Sequence, residues 1–166
     1  NKFNFISHNT TCKVILYYKK IADADLAEEK YVTAYDELVL KYKKEKNAEL
    51  FAKYLSSAKK HYPVDKAYWE SQEIDFAING LEGEALINKY EELATRLPDN
   101  YYVFYNYGVE MDSYRNSPES KGKDGAAMKQ KLVDLFTKAI ALNSTIEANL
   151  QLANYYYSAS FDAQEQ

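Results

Sequence analysis

An all-α fold is predicted by three features of the chain. The first is a shortage of helix breakers, with five Gly and three Pro in 166 residues. A many-turned β sandwich needs punctuation far more often than that. The second is apolar spacing at three and four along nearly the whole length, the period of a helix with one buried face. The third is a recurrence. Pro63 and Pro98 each close an amphipathic stretch, and Asn143-Ser144 ends a similar one after "LFTKAIAL". The length is that of a single domain with a continuous core.

Each element follows from local chemistry. "KVILYYKKIA", Lys13 to Ala22, is predicted as a leading helix that covers the first apolar face. From Glu28 to Lys46, Tyr31, Ala34, Tyr35, Leu38, Val39 and Tyr42 form one stripe. From Ala48 to His61, Leu50, Phe51, Tyr54, Leu55 and Ala58 form another, and Pro63 stops it. Asp65 is the expected N-cap of a helix from Lys66 to Asn79, and Gly80 its C′ residue. A helix from Glu84 to Leu97 ends before Pro98, and Asp99 or Asn100 caps the next. Ser144-Thr145-Ile146-Glu147 has the pattern of a capping box, with Ser144 and Glu147 each satisfying an orphan amide of a last helix.

"DNYYVFYNYGVEMDSY", Asp99 to Tyr114, is the one stretch where propensity and pattern disagree. Five aromatic residues in seven positions favour a strand. Phe104, Tyr107, Gly108 and Met111 nevertheless recur at three and four, and the neighbouring helices decide for a helix with those four inside. Tyrosine, 17 of 166 residues, is the compositional outlier. Stacked helices offer it a home, with rings filling gaps and hydroxyls wet at the edge.

Aligning the stops reveals an internal repeat near 34 residues, interrupted by a polar insert, "NSPESKGKDGAA", from Asn116 to Ala127. In this respect the chain resembles the tetratricopeptide repeat (TPR) family, whose unit is a helix pair with bulky residues at positions 4, 7 and 11. A unit from Val32 places Tyr35, Leu38 and Tyr42 there, with Leu55 at 24, Ala58 at 27 and Pro63 at 32. A unit from Lys66 has Trp69 at 4, Phe76 at 11, Gly80 at 15 and Ala85 at 20. A unit from Tyr101 has Phe104, Tyr107, Gly108 and Met111 at 4, 7, 8 and 11. After the insert come Phe136 at 24 and Ala139 at 27. A last unit from Glu147 places Leu150, Ala153 and Tyr157 at 4, 7 and 11. Phe51, Leu86 and Leu132 near position 20, and Val39 and Asn154 at position 8, depart from the family's small residues.

The resemblance implies a right-handed α-solenoid of antiparallel helix pairs, about eight helices in one domain. Its parts are a leading cap over 1–31, repeats over 32–65, 66–100 and 101–146, and a partial repeat over 147–166. It also implies peptide or protein binding along a concave groove. The groove positions fall on Tyr102, Tyr105, Val109 and Asp112 in one unit and on Ala148, Gln151, Tyr155 and Ser158 in the last. Of these, Tyr102, Tyr105, Val109, Asp112, Gln151 and Tyr155 are the candidate binding residues. The charged clamp by which some members bind chaperone C-termini is not matched, since only Asn106 fits it. A partial final unit leaves Tyr155, Tyr156, Tyr157 and Phe161 for self-association or for a missing cover.

Other chemistry is poorly represented. Of the two histidines, His8 and His61, the second sits at a helix C-terminus and is read as a capping or surface residue. No metal-ligand spacing, phosphate loop or nucleophile elbow occurs, and carboxylate pairs such as Glu91-Glu92 suit solvated faces. The expectation is therefore no catalytic residue, no metal and no cofactor. A lone Cys12 gives no disulfide framework. No apolar run approaches the ~18 residues of a membrane span, and a net charge of -4 disfavours nucleic acid. Numbering begins at Asn1 with no leader visible, which leaves cytoplasm and periplasm both open. The insert is expected to be a mobile loop. The expected function is a non-enzymatic scaffold that binds another protein; the alternative is a carbohydrate- or small-ligand-binding helical module of a bacterial cell envelope, by analogy of fold.

Overall fold

The computed structural model describes the backbone of residues 2–162 and the side chains of residues 13–156. The side chains of His8, Cys12, Tyr157, Ser158 and Phe161 lie outside the described residues. Among those described there are eight α-helices and no strand. The helices are α1 Lys2–Asp23, α2 Val32–Lys44, α3 Ala48–His61, α4 Lys66–Ile78, α5 Gly83–Arg96, α6 Tyr101–Arg115, α7 Gly125–Leu142 and α8 Ile146–Asp162. Short 3-10 turns stand at Glu29–Tyr31, Pro63–Asp65 and Pro118–Ser120. Backbone contacts divide the chain into two compact units, residues 1–76 and 77–166.

In the first unit the expected stripes are the core. Ala34, Tyr35, Leu38, Val39 and Tyr42 of α2 are buried, as are Phe51, Tyr54, Leu55 and Ala58 of α3. Ile21 and Ala22 of α1 join the same cluster, together with Trp69 of α4. Aromatic rings interlock it. Tyr42 stacks on Tyr54 with centroids 5.5 Å apart, and Phe51 on Phe76 at 4.1 Å. Lys43 ties α2 to α4, its ammonium 2.8 Å from the Gln72 amide oxygen and 2.9 Å from Asp75.

Helix ends mostly obey the sequence signals. Asn47 and Asn100 cap α3 and α6, accepting from the amides of Leu50 at 3.0 Å and Val103 at 3.2 Å. Gly80 takes φ +75° just past α4, a conformation that suits glycine. Two caps differ from expectation. Asp65 is not an N-cap, because Pro63–Asp65 coils into a 3-10 turn that runs directly into α4. At α8, Thr145 rather than Ser144 is the cap: its hydroxyl accepts from the Ala148 amide at 3.1 Å, and the helix begins one residue after it.

His61 stands in the last turn of α3, as expected, but its ring is largely covered instead of open to solvent. Its side chain is only 9% exposed, with Nε2 2.5 Å from Asp25 and the ring 5.6 Å from that of Tyr35. The last turn of α3 closes over the α1–α2 connection, so the imidazole packs instead of pointing to water.

In the second unit, α6 buries Val103, Tyr107, Gly108, Met111 and Tyr114. Phe104 was expected inside with Tyr107 and Met111, but it is half-buried, with the Lys138 ammonium 5.6 Å from its ring centroid. Val103, one position earlier, takes the inner place. Helix α7 lays Leu132, Leu135, Phe136 and Ala139 against this face. Gly108 is what lets it approach: a Cβ there would stand 2.7 Å from the Phe136 ring.

The insert is a folded connector, not an open loop. Ser120 is buried, its hydroxyl 2.8 Å from the carbonyl oxygens of Arg115 and Ser117. Lys123 ion-pairs with Glu84 of α5, and the Glu119 carboxylate lies where a Cβ on Gly83 would be. The last three insert residues belong to α7, whose cap is Asp124.

Candidate functional site

The six candidate residues lie on α6 and α8, and the structure divides them. Tyr102 stands at the start of α6, 63% exposed, touched edge-on by Tyr101 with ring centroids 5.2 Å apart. Val109 is exposed two turns further along. Tyr105 is half-buried, stacked on Tyr101 at 5.6 Å and 6.2 Å from the Phe136 ring. Its ring is largely spent on packing.

The other three converge. Asp112, Gln151 and Tyr155 line one cleft of about 100 Å³ with Arg115, Asn154, Leu132 and Phe136. Helix α6 supplies Asp112 and Arg115, one turn apart on the same face, where i,i+3 neighbours meet. Arg115 Nη2 donates to Asp112 Oδ1 at 2.8 Å, which fixes the guanidinium over the cleft. Its Nε is buried and has no acceptor among the described residues. Helix α7 supplies an apolar floor in Leu132 and Phe136, both buried. Helix α8 supplies the amide of Gln151 and the phenol of Tyr155.

The register of α8 differs from the one carried over from the family. Ala148, placed in the groove by that register, is fully buried, while Leu150, placed in the packing stripe, is 55% exposed. Ala153 is exposed as well. The inner face instead runs through Ala148, Leu152 and Tyr155, spaced by four and three. Among the described residues α8 packs chiefly on α7. A helix held by one neighbour turns whichever face buries most against it, and here that face brings Tyr155 to the cleft edge.

Chemically the cleft offers a guanidinium, a carboxylate, two side-chain amides and a phenol around an apolar floor. That set recognises polar groups by hydrogen bonding and seats a small apolar portion below. Sequence reasoning did not single out Arg115, Leu132, Phe136 or Asn154 as site residues. The Asp112–Arg115 spacing was the available signal; Phe136 had been assigned to packing, and it does both. Among the described residues no group of three His, Cys, Asp or Glu side chains is arranged to hold a metal ion. No described helix is long and apolar enough to cross a membrane. Comparison with protein-family models, curated proteins and solved structures found no match for this chain.

Proposed function

We propose that this chain is a non-enzymatic, TPR-like helical-repeat scaffold that binds a peptide segment of another protein, using α6 and the cleft between α6, α7 and α8. The observation that carries the reading is the cleft itself, where Asp112, Gln151 and Tyr155, chosen from repeat register, meet over Phe136. Tyr102 and Val109 extend exposed apolar surface along the same helix. An arginine and a tyrosine beside a buried aromatic floor are the residue types that dominate peptide recognition. The antiparallel helix pairs and solenoid winding of the TPR family belong to the same proposal, supported by α2 packing on α1 and α3 in the first unit and by the successive packing of α5, α6, α7 and α8 in the second.

The test is selection of binders from a displayed random-peptide library, followed by affinity measurement on the enriched peptides. Tyr102→Ala and Tyr155→Ala are expected to weaken them at least tenfold with unchanged circular dichroism. Tyr105 is left intact, because its packing on Phe136 confuses binding with folding. Peptides that bind the double variant as tightly as the wild type would sink the proposal, as would a library that yields no binder. A glycan array that yields a binder blocked by Tyr102→Ala would replace it with the carbohydrate reading.

A further inference from the structure

The first and last helices each pack chiefly on one neighbour, α1 on α2 and α8 on α7. Each therefore has a face left over, and both of these faces are apolar. Twelve large apolar side chains stand well exposed among the described residues, and six of them lie on these two helices. They are Val14, Leu16 and Tyr17 on α1, and Ile146, Leu150 and Tyr156 on α8. Helical arrays that stay apart in solution put polar residues on such end faces.

A second observation says what covers them: the two faces carry opposite charge. On α1, Ile15 and Tyr18 pack against the core, and the Lys19 ammonium lies 5.4 Å from the Tyr42 ring centroid. That leaves Lys13, Leu16, Tyr17 and Lys20, all exposed, in one outward stripe at spacings of three and four. On α8, Ala148, Leu152 and Tyr155 turn inward, which leaves Ile146, Leu150 and Ala153 outside. Glu147 stands exposed beside them and is the one charged residue among the described side chains of that helix. The sequence extends the contrast. Residues 1–22 hold four lysines and no acidic residue, whereas residues 143–166 hold Glu147, Asp162 and Glu165 and no basic one.

Two copies of either face would set like charge against like, lysines in one case and carboxylates in the other. Setting α1 against α8 takes both apolar stripes out of water and brings opposite charges to the rim. We propose that the chain self-associates head to tail, the outer stripe of α1 on one copy docking on the outer stripe of α8 on a second copy. Lys13 and Lys20 then face the acidic flank of α8. The apolar stripes supply the affinity, and the charges decide which face meets which. Because the two faces differ, each dimer leaves one of each open, and growth continues unless a ring closes.

The experiment is sedimentation equilibrium of the full chain, whose average mass is expected to rise with concentration. Leu16→Glu combined with Tyr17→Glu blocks the α1 face, and Leu150→Lys blocks the α8 face. All three side chains are more than half exposed, so helicity by circular dichroism is expected to be unchanged. Ala153→Lys gives the same readout should Leu150→Lys be unstable. Each blocked protein alone is expected to stay monomeric. An equimolar mixture of the two is expected to form a one-to-one dimer, because each keeps the face that the other lacks. Glu147→Lys is expected to weaken association at least threefold. A wild-type chain that stays monomeric up to millimolar concentration would overturn the proposal. Self-association of either blocked protein, a mixture that remains monomeric, or undiminished association in Glu147→Lys would do so too. No residue of the α6–α7–α8 cleft is altered, so the blocked proteins are expected to capture peptides as the wild type does. Failure of either proposal leaves the other standing.

Discussion

Replacing Gly108 by alanine tests how closely α6 and α7 approach. A Cβ at this position would stand 2.7, 2.9 and 3.0 Å from three carbons of the Phe136 ring. Relaxed carbon–carbon contact lies near 3.5 Å or beyond, so something must move by roughly 0.8 Å. Phe136 has little room to do so. It is 2% exposed and backed by Tyr105, whose ring lies 6.2 Å away. Overpacking of this kind costs about 1–3 kcal/mol. Against it stands the intrinsic helix preference of alanine over glycine, about 1 kcal/mol. The clash is with the body of a buried ring, not with a flexible tip, so the balance falls at about 1–2 kcal/mol of net destabilisation. Urea unfolding followed by far-ultraviolet circular dichroism measures it, with the slope checked for constancy. Trimming the ring in a Phe136→Leu background is expected to relieve the clash, giving a coupling of about 1 kcal/mol in a double-mutant cycle. A Gly108→Ala protein stabilised by about 1 kcal/mol, as at an exposed helix position, would refute the close approach. Zero coupling to Phe136 would do the same.

Two further perturbations test the helix cap and the buried tyrosines. Asn100→Ala should cost about 1 kcal/mol by removing the side-chain acceptor for the Val103 amide, whereas Asp99→Ala should cost far less; thermal melts of both variants make the comparison. Burial pushes the Tyr35 and Tyr107 hydroxyls up to about 12, with Tyr62 and Asp25 adding to the first and Glu91 to the second. The folded chain therefore holds these protons more tightly than the unfolded one. Their contribution to stability is complete below the ordinary tyrosine range near pH ~10 and is lost as pH rises toward about 12. In an alkaline titration, the last phenolate absorbance should appear together with loss of helicity; full ionisation near pH ~10 with intact helicity would contradict the burial.

Much of the helix layout was legible because helix ends are set by neighbours in sequence. The limits of α3 agree with expectation at both ends, and α5 differs by a single residue at each. Proline stops, Gly80 at φ +75° and the Asn100 cap are local chemistry, independent of what packs above. Likewise, the strand propensity of Tyr101 to Tyr107 gave way to the spacing of Tyr107, Gly108 and Met111, because burying a continuous face outweighs a per-residue preference. What could not be read was rotation about a helix axis. For α8 the family register and the buried face differ, because only contact with α7 decides between Leu150 and Leu152. The candidate cleft has the same origin. Asp112 and Arg115 are three residues apart on one helix, but their meeting with Gln151 and Tyr155 depends on that rotation.

The tyrosine surplus narrows where function can reside. Hydroxyls were expected to sit wet at helix edges, yet several are consumed by the fold. Tyr35 donates to the Leu26 carbonyl at 2.9 Å and Tyr62 to the Glu28 carbonyl at 3.0 Å, so both pin the segment between α1 and α2. Tyr101 meets the Thr145 hydroxyl at 2.7 Å, and Thr145 in turn caps α8. A ring of this size delivers apolar burial at one end and a directional bond at the other. That makes tyrosine the economical way to close connections in a chain with few turn residues. Aromatic density is therefore mainly a packing device here and weak evidence for binding. Among the six candidate residues, Tyr102 has the largest share of its ring in solvent, and Tyr155 is the tyrosine that lines the cleft. A binding experiment that spares these two and alters only the stacked tyrosines would measure folding.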